Sequence, residues 1–395
     1  MVSCHQALVR SGDLSRYRET ELSSAKDRHW GPAIGFYELA GAIYPTSGAS
    51  HNQLAVIALA DGNHLRATYH LYRALTVEEP HPTAKANLEL ELKKINTAWS
   101  KGGLIVDKPT SSDGGDAGKT LVAWFIRLHA RCYRGRDFPE HEELEGEVMT
   151  QLAVGLRERA YDAILNKLIL INVSAQDAAG VRFAADPQST EALQAYFFFV
   201  RLNVKTLITL LRLLQADLEK AREGEGQVDN FEETVTEVKR DGRSERILAV
   251  TRRVLPGLRH YSSWLLSNTA ILVAEEVQKA TKVQMQDMWR AYARCLTLLA
   301  TLFQVQTLPV VEYLLEEDED TLGFRPFQSL DNASMRRRYY GSDSTIRKPR
   351  MHDAGIERQH PNAEMLFRVR DFLVDGVELA LADVRLSLPV VPNSV

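Results

Sequence analysis

Cysteine is scarce and scattered in this chain: three residues, Cys4, Cys132 and Cys295, among 395. With no Cys-x-x-Cys pair and an odd number of thiols, a disulfide framework, a zinc ribbon and a dithiol redox centre are excluded, and a reducing compartment, nucleus or cytoplasm, is expected. Long hydrophobic runs are lacking too. The most apolar stretch, 192–214, is interrupted by Arg201, Lys205 and Arg212, which argues against an ordinary spanning helix, so no membrane partner is expected. The N-terminus carries no basic-then-apolar leader. Charge of one sign is not in excess: 48 Lys and Arg stand against 52 Asp and Glu, a net charge of −4. The molecule is not a polycation, and any contact with nucleic acid has to use a local basic patch.

Catalytic and ligand-holding signatures are missing as well. Eleven histidines do not cluster, and no His-Glu-x-x-His occurs. His141-Glu142-Glu143 reads as a solvated helix start, and His352 and His360 fall in a polar loop. No metal and no cofactor are expected. Gly118-Lys119-Thr120 invites a phosphate-loop reading, but the glycine that motif needs five positions earlier is Asp113, whose carboxylate would repel phosphate. No Gly-x-Ser-x-Gly elbow is present and no cysteine lies in a catalytic signature. The acidic run Glu316-Glu317-Asp318-Glu319-Asp320 reads as a charged surface, because catalytic carboxylates need convergent geometry that a contiguous run does not supply. No enzyme is expected.

Helical periodicity is abundant. From 193 to 214, Leu193, Tyr196, Phe197, Val200, Val204, Leu207, Leu211 and Leu214 fall at steps of three and four, one face of a long helix. Similar faces occur at 121–133, 144–172, 244–266, 268–280, 284–306 and 364–386, and no convincing alternation of the strand type is found. The class is all-α. Its length exceeds what one core usually holds, so two or three subdomains are expected.

The N-terminal hundred residues carry a repeat. Ala33, Tyr37 and Ala40 recur 34 positions later as Ala67, Leu71 and Ala74, with Trp30 before the first set and Pro45 and Pro80 closing the two. That period belongs to tetratricopeptide-type (TPR) helix pairs, which build concave binding surfaces. The small residues mark where paired helices approach closely. Helices are expected near 4–20, 27–43, 50–60, 63–77 and 83–99. A Gly- and Ser-rich break at 101–119 reads as a flexible linker between a 1–100 module and a 120–395 helical domain, the latter with polar insertions near 222–243 and 331–361.

Two groups of residues are candidate sites. Arg16 and Tyr17 project about 100° apart on a helix, and a guanidinium beside a phenol hydroxyl suits a phosphate. In the second insertion, Arg336, Arg337 and Arg338 are followed by Tyr339 and Tyr340, a mixture that can pair phosphates and stack bases.

Several segments together resemble a known family. Gly12-Asp13-Leu14-Ser15-Arg16-Tyr17-Arg18-Glu19, His51-Asn52-Gln53-Leu54-Ala55, His64-Leu65-Arg66-Ala67-Thr68-Tyr69-His70-Leu71-Tyr72-Arg73-Ala74-Leu75, Pro82-Thr83-Ala84-Lys85-Ala86-Asn87-Leu88, Leu128-His129-Ala130 and Leu322-Gly323-Phe324-Arg325-Pro326 are similar, in that order, to segments of the 14-3-3-like/TPR proteins of telomerase and nonsense-mediated mRNA decay. The resemblance covers about residues 4–330. It implies a 14-3-3-like/TPR helical-pair array followed by a helical-hairpin (α-α superhelical) domain. It also implies a non-enzymatic adaptor that binds phosphorylated protein partners, other decay or telomerase factors and RNA or single-stranded DNA, with Arg16 and Tyr17 at the phosphate. That family's module has helices before the Gly-Asp segment, one carrying another basic pocket residue, and here Met1 stands eleven residues before Gly12. A shortened N-terminal module is therefore expected, as is the absence of the C-terminal nuclease domain of some members. The alternative is a general TPR-type scaffold for protein partners with no nucleic-acid role.

Overall fold

The computed structural model describes residues 1–24, 28–102, 115–158, 161–228, 246–283, 285–327, 333–341, 345–347 and 357–381. Among them are fifteen α-helices and no strand; two isolated bridges, Ser47 to Glu79 and Tyr340 to Ile346, are the extended pairings. The helices are α1 (Val2–Leu22), α2 (Gly31–Ile43), α3 (Ala49–Ala60), α4 (His64–Leu75), α5 (Ala84–Ser100), α6 (Gly115–Cys132), α7 (His141–Glu158) and α8 (Asp162–Ala185). They continue with α9 (Thr190–Val228), α10 (Ala249–Leu272), α11 (Glu275–Thr281), α12 (Met285–Leu302), α13 (Glu316–Glu319), α14 (Ala333–Tyr339) and α15 (Pro361–Leu381). The fold is all-α. None of the described helices is long and apolar enough to cross a membrane.

The chain forms two compact units. The first comprises Met1–Val148, Leu170–Val200 and Thr321–Gln328; the second comprises Met149–Ile169, Arg201–Asp320 and Ser329–Val395. Residues 1–100 and 120–148 share the first unit, so the compositional break at 101–119 falls inside it. Most of that break lies outside the described residues. Its last five positions begin α6, which places Gly118, Lys119 and Thr120 within a helix rather than on a loop.

In the first unit α1 packs on α2, α3 on α4, α4 on α5 and α5 on α6. Ala33, Tyr37, Ala40, Ala67, Leu71 and Ala74, the members of the 34-residue repeat, are each at most 1% exposed, so the period marks the faces on which the helices pair. Trp30, Ala33, Tyr37, Leu54 and Ile57 form one core cluster, with Val9 of α1 against it. The indole of Trp30 donates to Asp61 at 2.7 Å. Asn63 caps α4 by accepting from the Arg66 amide at 3.0 Å, which satisfies one of the four free donors at that helix start. His129 of α6 is fully buried, stacked near Phe125 and Phe199, and bonded to Asn172 at 2.7 Å. Burial pushes its imidazole down to about 4, so it is a neutral packing residue at physiological pH.

Residues 322–327 belong to this unit from a distance of some 250 positions. The Arg325 amide donates to the Thr76 carbonyl at 2.9 Å, Arg325 pairs with Asp177, and the Arg73 guanidinium lies 4.5 Å over the Phe324 ring. Gly323 makes this fit: its φ is +67°, and a Cβ there would lie 2.2 Å from the Pro45 carbonyl oxygen. Both the left-handed backbone and the close approach require glycine.

The face expected over 144–172 is two helices, not one. Arg253 donates to the Leu156 and Arg157 carbonyls at 2.9 and 2.8 Å, taking acceptors that a continuing helix would have used, and α8 starts afresh at Asp162. Of the insertion expected near 222–243, residues 222–228 extend α9 and 229–243 lie outside the described residues. Of 331–361, residues 333–339 form α14.

The second unit is organised around buried charge. Arg259 of α10 is 1% exposed. It donates to Glu317 at 2.5 Å, to Asp318 at 3.1 Å and to Asp371 at 2.9 Å. Arg368 pairs with Glu317 at 2.7 and 2.8 Å. Arg338 pairs with Asp371 at 2.9 Å and with Asp375, and Arg337 reaches Asp375 at 2.6 Å and Glu378 at 2.5 Å. Thus α10, α13, α14 and α15 are joined through guanidinium–carboxylate contacts. This corrects the reading of 316–320 as a charged surface: Glu317 and Asp318 are 2% and 4% exposed, because Arg259 and Arg368 supply the convergence that the run alone lacks.

Candidate functional site

The Gly12-to-Arg18 segment lies in the middle of α1, and its residue types follow from what packs on it. A Cβ at Gly12 would stand 2.4 Å from a ring carbon of Tyr37; glycine lets that buried ring seat directly on the α1 backbone. The Tyr37 hydroxyl then reaches α1 and donates to Asp13 Oδ1 at 2.8 Å, while accepting from Arg16 Nε at 3.4 Å. Arg16 also faces Asp13 at 3.5 Å. Burial, opposed by Arg16 and reinforced by Asp13, raises the Tyr37 hydroxyl well above its ordinary value, so it remains a donor. Burial works against the Arg16 cation, and its bonds to Tyr37 and Tyr17 more than offset it.

The Arg16 guanidinium lies 4.4 Å over the Tyr17 ring. Its side chain is 14% exposed, whereas Tyr17 is 53% exposed. The structure therefore brings Arg16 and Tyr17 together and adds two residues that periodicity had marked only for packing or not at all, Tyr37 and Asp13. Chemically, the cluster offers an oriented guanidinium edge beside a phenol, with one carboxylate as an internal competitor. A bound phosphate would have to displace or share Asp13. Asp13→Asn, which removes that competing charge and keeps an acceptor for Tyr37, should tighten phosphopeptide binding severalfold, checked by titration with a fluorescent phosphopeptide; unchanged or weaker affinity counts against phosphate contact at Arg16.

The 336–340 residues are distributed differently. The Arg337 and Arg338 guanidiniums are engaged by Asp371, Asp375 and Glu378, and Arg338 also donates to the Arg259 carbonyl at 2.8 Å. Arg336 and Tyr340 are exposed, and Tyr339 is half-buried.

Elsewhere, among the described residues, no group of three His, Cys, Asp or Glu is placed to hold a metal. Cys295 is buried, and burial pushes its thiol up to about 12, which makes it a poor nucleophile. His141 opens α7 as expected, with Glu142 and Glu143 exposed in the first turn; its own ring is half-buried, stacked on Phe138 at 4.5 Å and edge-on to Phe198 at 4.6 Å. His360 is exposed, and His352 and Asp113 lie outside the described residues.

The sequence matches the family model described as the Est1 DNA/RNA-binding domain over residues 33–330. Arg16 and Tyr17 precede the matched stretch and Arg336–Tyr340 follow it. The chain is 42% identical over 91 residues to the nonsense-mediated mRNA decay factor SMG7-like of Arabidopsis thaliana, a match covering 23% of this chain and 10% of that protein. It is 35% identical over 111 residues to SMG7 of the same plant, 28% of this chain and 10% of that one. The telomerase-binding protein EST1A of Danio rerio is 35% identical over 88 residues, 22% of this chain and 6% of that one. The match thus spans about a tenth or less of the length of these relatives. In structure, the chain is similar to the one in the crystal structure of Est1 and Cdc13, with a TM-score of 0.63 at 13% identity, covering 95% of this chain and 67% of that one.

Proposed function

We propose that this chain, which belongs to the Est1 DNA/RNA-binding domain family, is an adaptor module of nonsense-mediated mRNA decay or telomere maintenance that acts by binding and not by catalysis. Its relatives are named as decay factors and telomerase-binding proteins. The partners follow from that reading: phosphorylated proteins, other decay or telomerase factors, and RNA or single-stranded DNA, met in the nucleus or the cytoplasm.

The observation that supports the protein-binding half best is the stack of Arg16 on Tyr17, held from beneath by Tyr37. A guanidinium fixed in plane loses little further freedom when it pairs two phosphate oxygens, and the exposed phenol adds a third contact. Within the basic segment, Arg336 and Tyr340 are the residues that would meet a phosphate backbone. For nucleic acid, the relevant support is the family itself, whose model covers 298 of the 395 residues.

Arg16→Glu should abolish phosphopeptide binding with unchanged helical content by circular dichroism, since the polar and ring partners of Arg16 among the described residues are Asp13 and Tyr17 of α1 and the Tyr37 hydroxyl. Retained affinity in that variant would remove the pocket reading. A pull-down with the tagged protein that recovers neither decay factors nor telomerase ribonucleoprotein would favour the general scaffold instead.

A further inference from the structure

We propose that the face formed by α5 and α6 in the first unit is a binding surface for single-stranded nucleic acid; this rests on the nucleic-acid half of the preceding reading and gives it a place. The two helices run antiparallel. Trp99 meets Arg127, Asn96 donates to the Ala130 carbonyl at 3.3 Å, and Tyr133 donates to Glu89 at 3.1 Å. This register brings Lys93 of α5 level with the residues at the C-terminal end of α6.

On α6 and its exit, Arg127, Arg131 and Arg134 recur at steps of four and three, one stripe of the helix. Three guanidiniums in this region lie on aromatic rings: Arg127 at 4.0 Å over Trp99, Arg131 at 4.8 Å over Phe138, and Arg182 at 4.5 Å over Tyr133. Lys93 and Arg134 are exposed and Arg127 is half-buried. None of these three is within ion-pair distance of a carboxylate among the described residues. The opposing charges nearest this face are Glu140, which pairs with Arg131 at 3.7 Å, and Glu89, whose carboxylate accepts from the Tyr133 hydroxyl.

A cluster of cations at a helix C-terminus has an ordinary use, complementing the helix dipole. That use does not call for stacking on aromatic rings, nor for a lysine on a neighbouring helix. Flat guanidinium–aromatic stacks are platforms on which unpaired bases lie, and unpaired cations beside them neutralise phosphates. The Arg127 and Arg131 positions are about 6 Å apart along the axis, wider than the step of about 3.4 Å between stacked bases, so they suit splayed bases taken singly. A phosphopeptide needs convergent cations on one group instead. This face also lies within the 33–330 match to a DNA/RNA-binding domain, which the 336–340 segment does not.

The test is fluorescence anisotropy of the full chain with a short labelled oligouridine and the corresponding oligothymidine, between about 50 and 200 mM salt. Lys93→Glu with Arg134→Glu, two exposed positions that leave the fold intact, should weaken binding on the order of tenfold and flatten the salt dependence by about two units of slope. Trp99→Ala should weaken binding on the order of tenfold with an unchanged salt slope, the mark of lost stacking. If the wild type binds and these variants bind equally well, the α5–α6 site is overturned while the nucleic-acid reading stands; loss confined to Arg336→Glu has the same meaning. If the wild type binds neither oligonucleotide at low salt, both fall. If the variants lose a phosphopeptide and keep the oligonucleotides, the face belongs to a different ligand and the proposal is again overturned.

Discussion

Arg259→Leu is expected to destabilise the second unit by about 3–5 kcal/mol, the typical cost of removing one partner from a buried ion pair. The change leaves Glu317, Asp318 and Asp371 buried without the guanidinium that donates to all three. Desolvation of charge in a low-dielectric interior, rather than the lost attraction, supplies most of that cost. Urea unfolding followed by far-UV circular dichroism measures it, and a midpoint equal to that of the wild type would refute the account. Arg259→Lys should recover only part of the loss, because an ammonium cannot reproduce the planar fork that serves several carboxylates at once.

The same network sets a pH dependence. Burial alone would raise the Glu317 carboxyl, but Arg368 and Arg259 more than offset it and hold it well below its ordinary value of 4.5. Asp371, likewise buried, is held down by Arg338, Arg259 and Arg337. Groups depressed in the folded state contribute stability that is present above their unfolded values and lost as pH falls towards their folded ones. Asp318 runs the other way: burial leads, and its carboxyl is raised above 3.8 despite Arg259, so its contribution is full below that value and fades as pH rises through the folded one. Two depressed carboxylates against one raised predict a second unit that loses stability below about pH 4.5, where Glu317 begins to titrate in the unfolded chain. A thermal midpoint flat from pH 6 to pH 3, as a rough range for the measurement, would contradict this.

Gly323→Ala carries the second large effect, on the order of 2–3 kcal/mol in the first unit. The residue has φ +67° and its Cβ would meet the Pro45 carbonyl oxygen at 2.2 Å. Gly62 is the internal control. Its φ is +70°, but nothing lies within 4 Å of its Cβ position, so Gly62→Ala should cost only the left-handed backbone, about 1 kcal/mol. Equal losses in the two variants would mean that Gly323 is conformational and makes no close approach. A larger loss at Gly323, with loosening of Phe324 from Arg73, would show that the contact fastens 322–327 into its unit.

How much of this was legible beforehand differs from residue to residue. The positions Ala33, Tyr37, Ala40, Ala67, Leu71 and Ala74 were identifiable by period, because a repeated helix pair must bury the same face each time, and all six are buried. The Tyr37 hydroxyl was not legible: a period finds the ring but not the polar tip, and the bond to Asp13 crosses between helices. The break between α7 and α8 was missed because apolar spacing continues through it, while the residue that takes the free carbonyls, Arg253, is almost a hundred positions away. On the candidate nucleic-acid face, the steps of Arg127, Arg131 and Arg134 are visible in the sequence, but their rings come from Trp99 on another helix and Phe138 past the α6 exit.

The charged segments show the boundary most clearly. The amino-acid sequence by itself determined the helical class, the pairing faces of the first hundred residues and the family, since each depends on local spacing or on ordered motifs. Only the tertiary structure decided what the charges do. In sequence, Glu316 to Asp320 and Arg336 to Arg338 are two solvated runs of opposite sign. In the fold, Glu317, Asp318, Arg337 and Arg338 meet Arg259, Arg368, Asp371 and Asp375 in one buried network, leaving Arg336 exposed. The reason is physical: whether a charge stays in water depends on the partners that converge on it, and convergence is a property of three-dimensional packing that no linear spacing encodes.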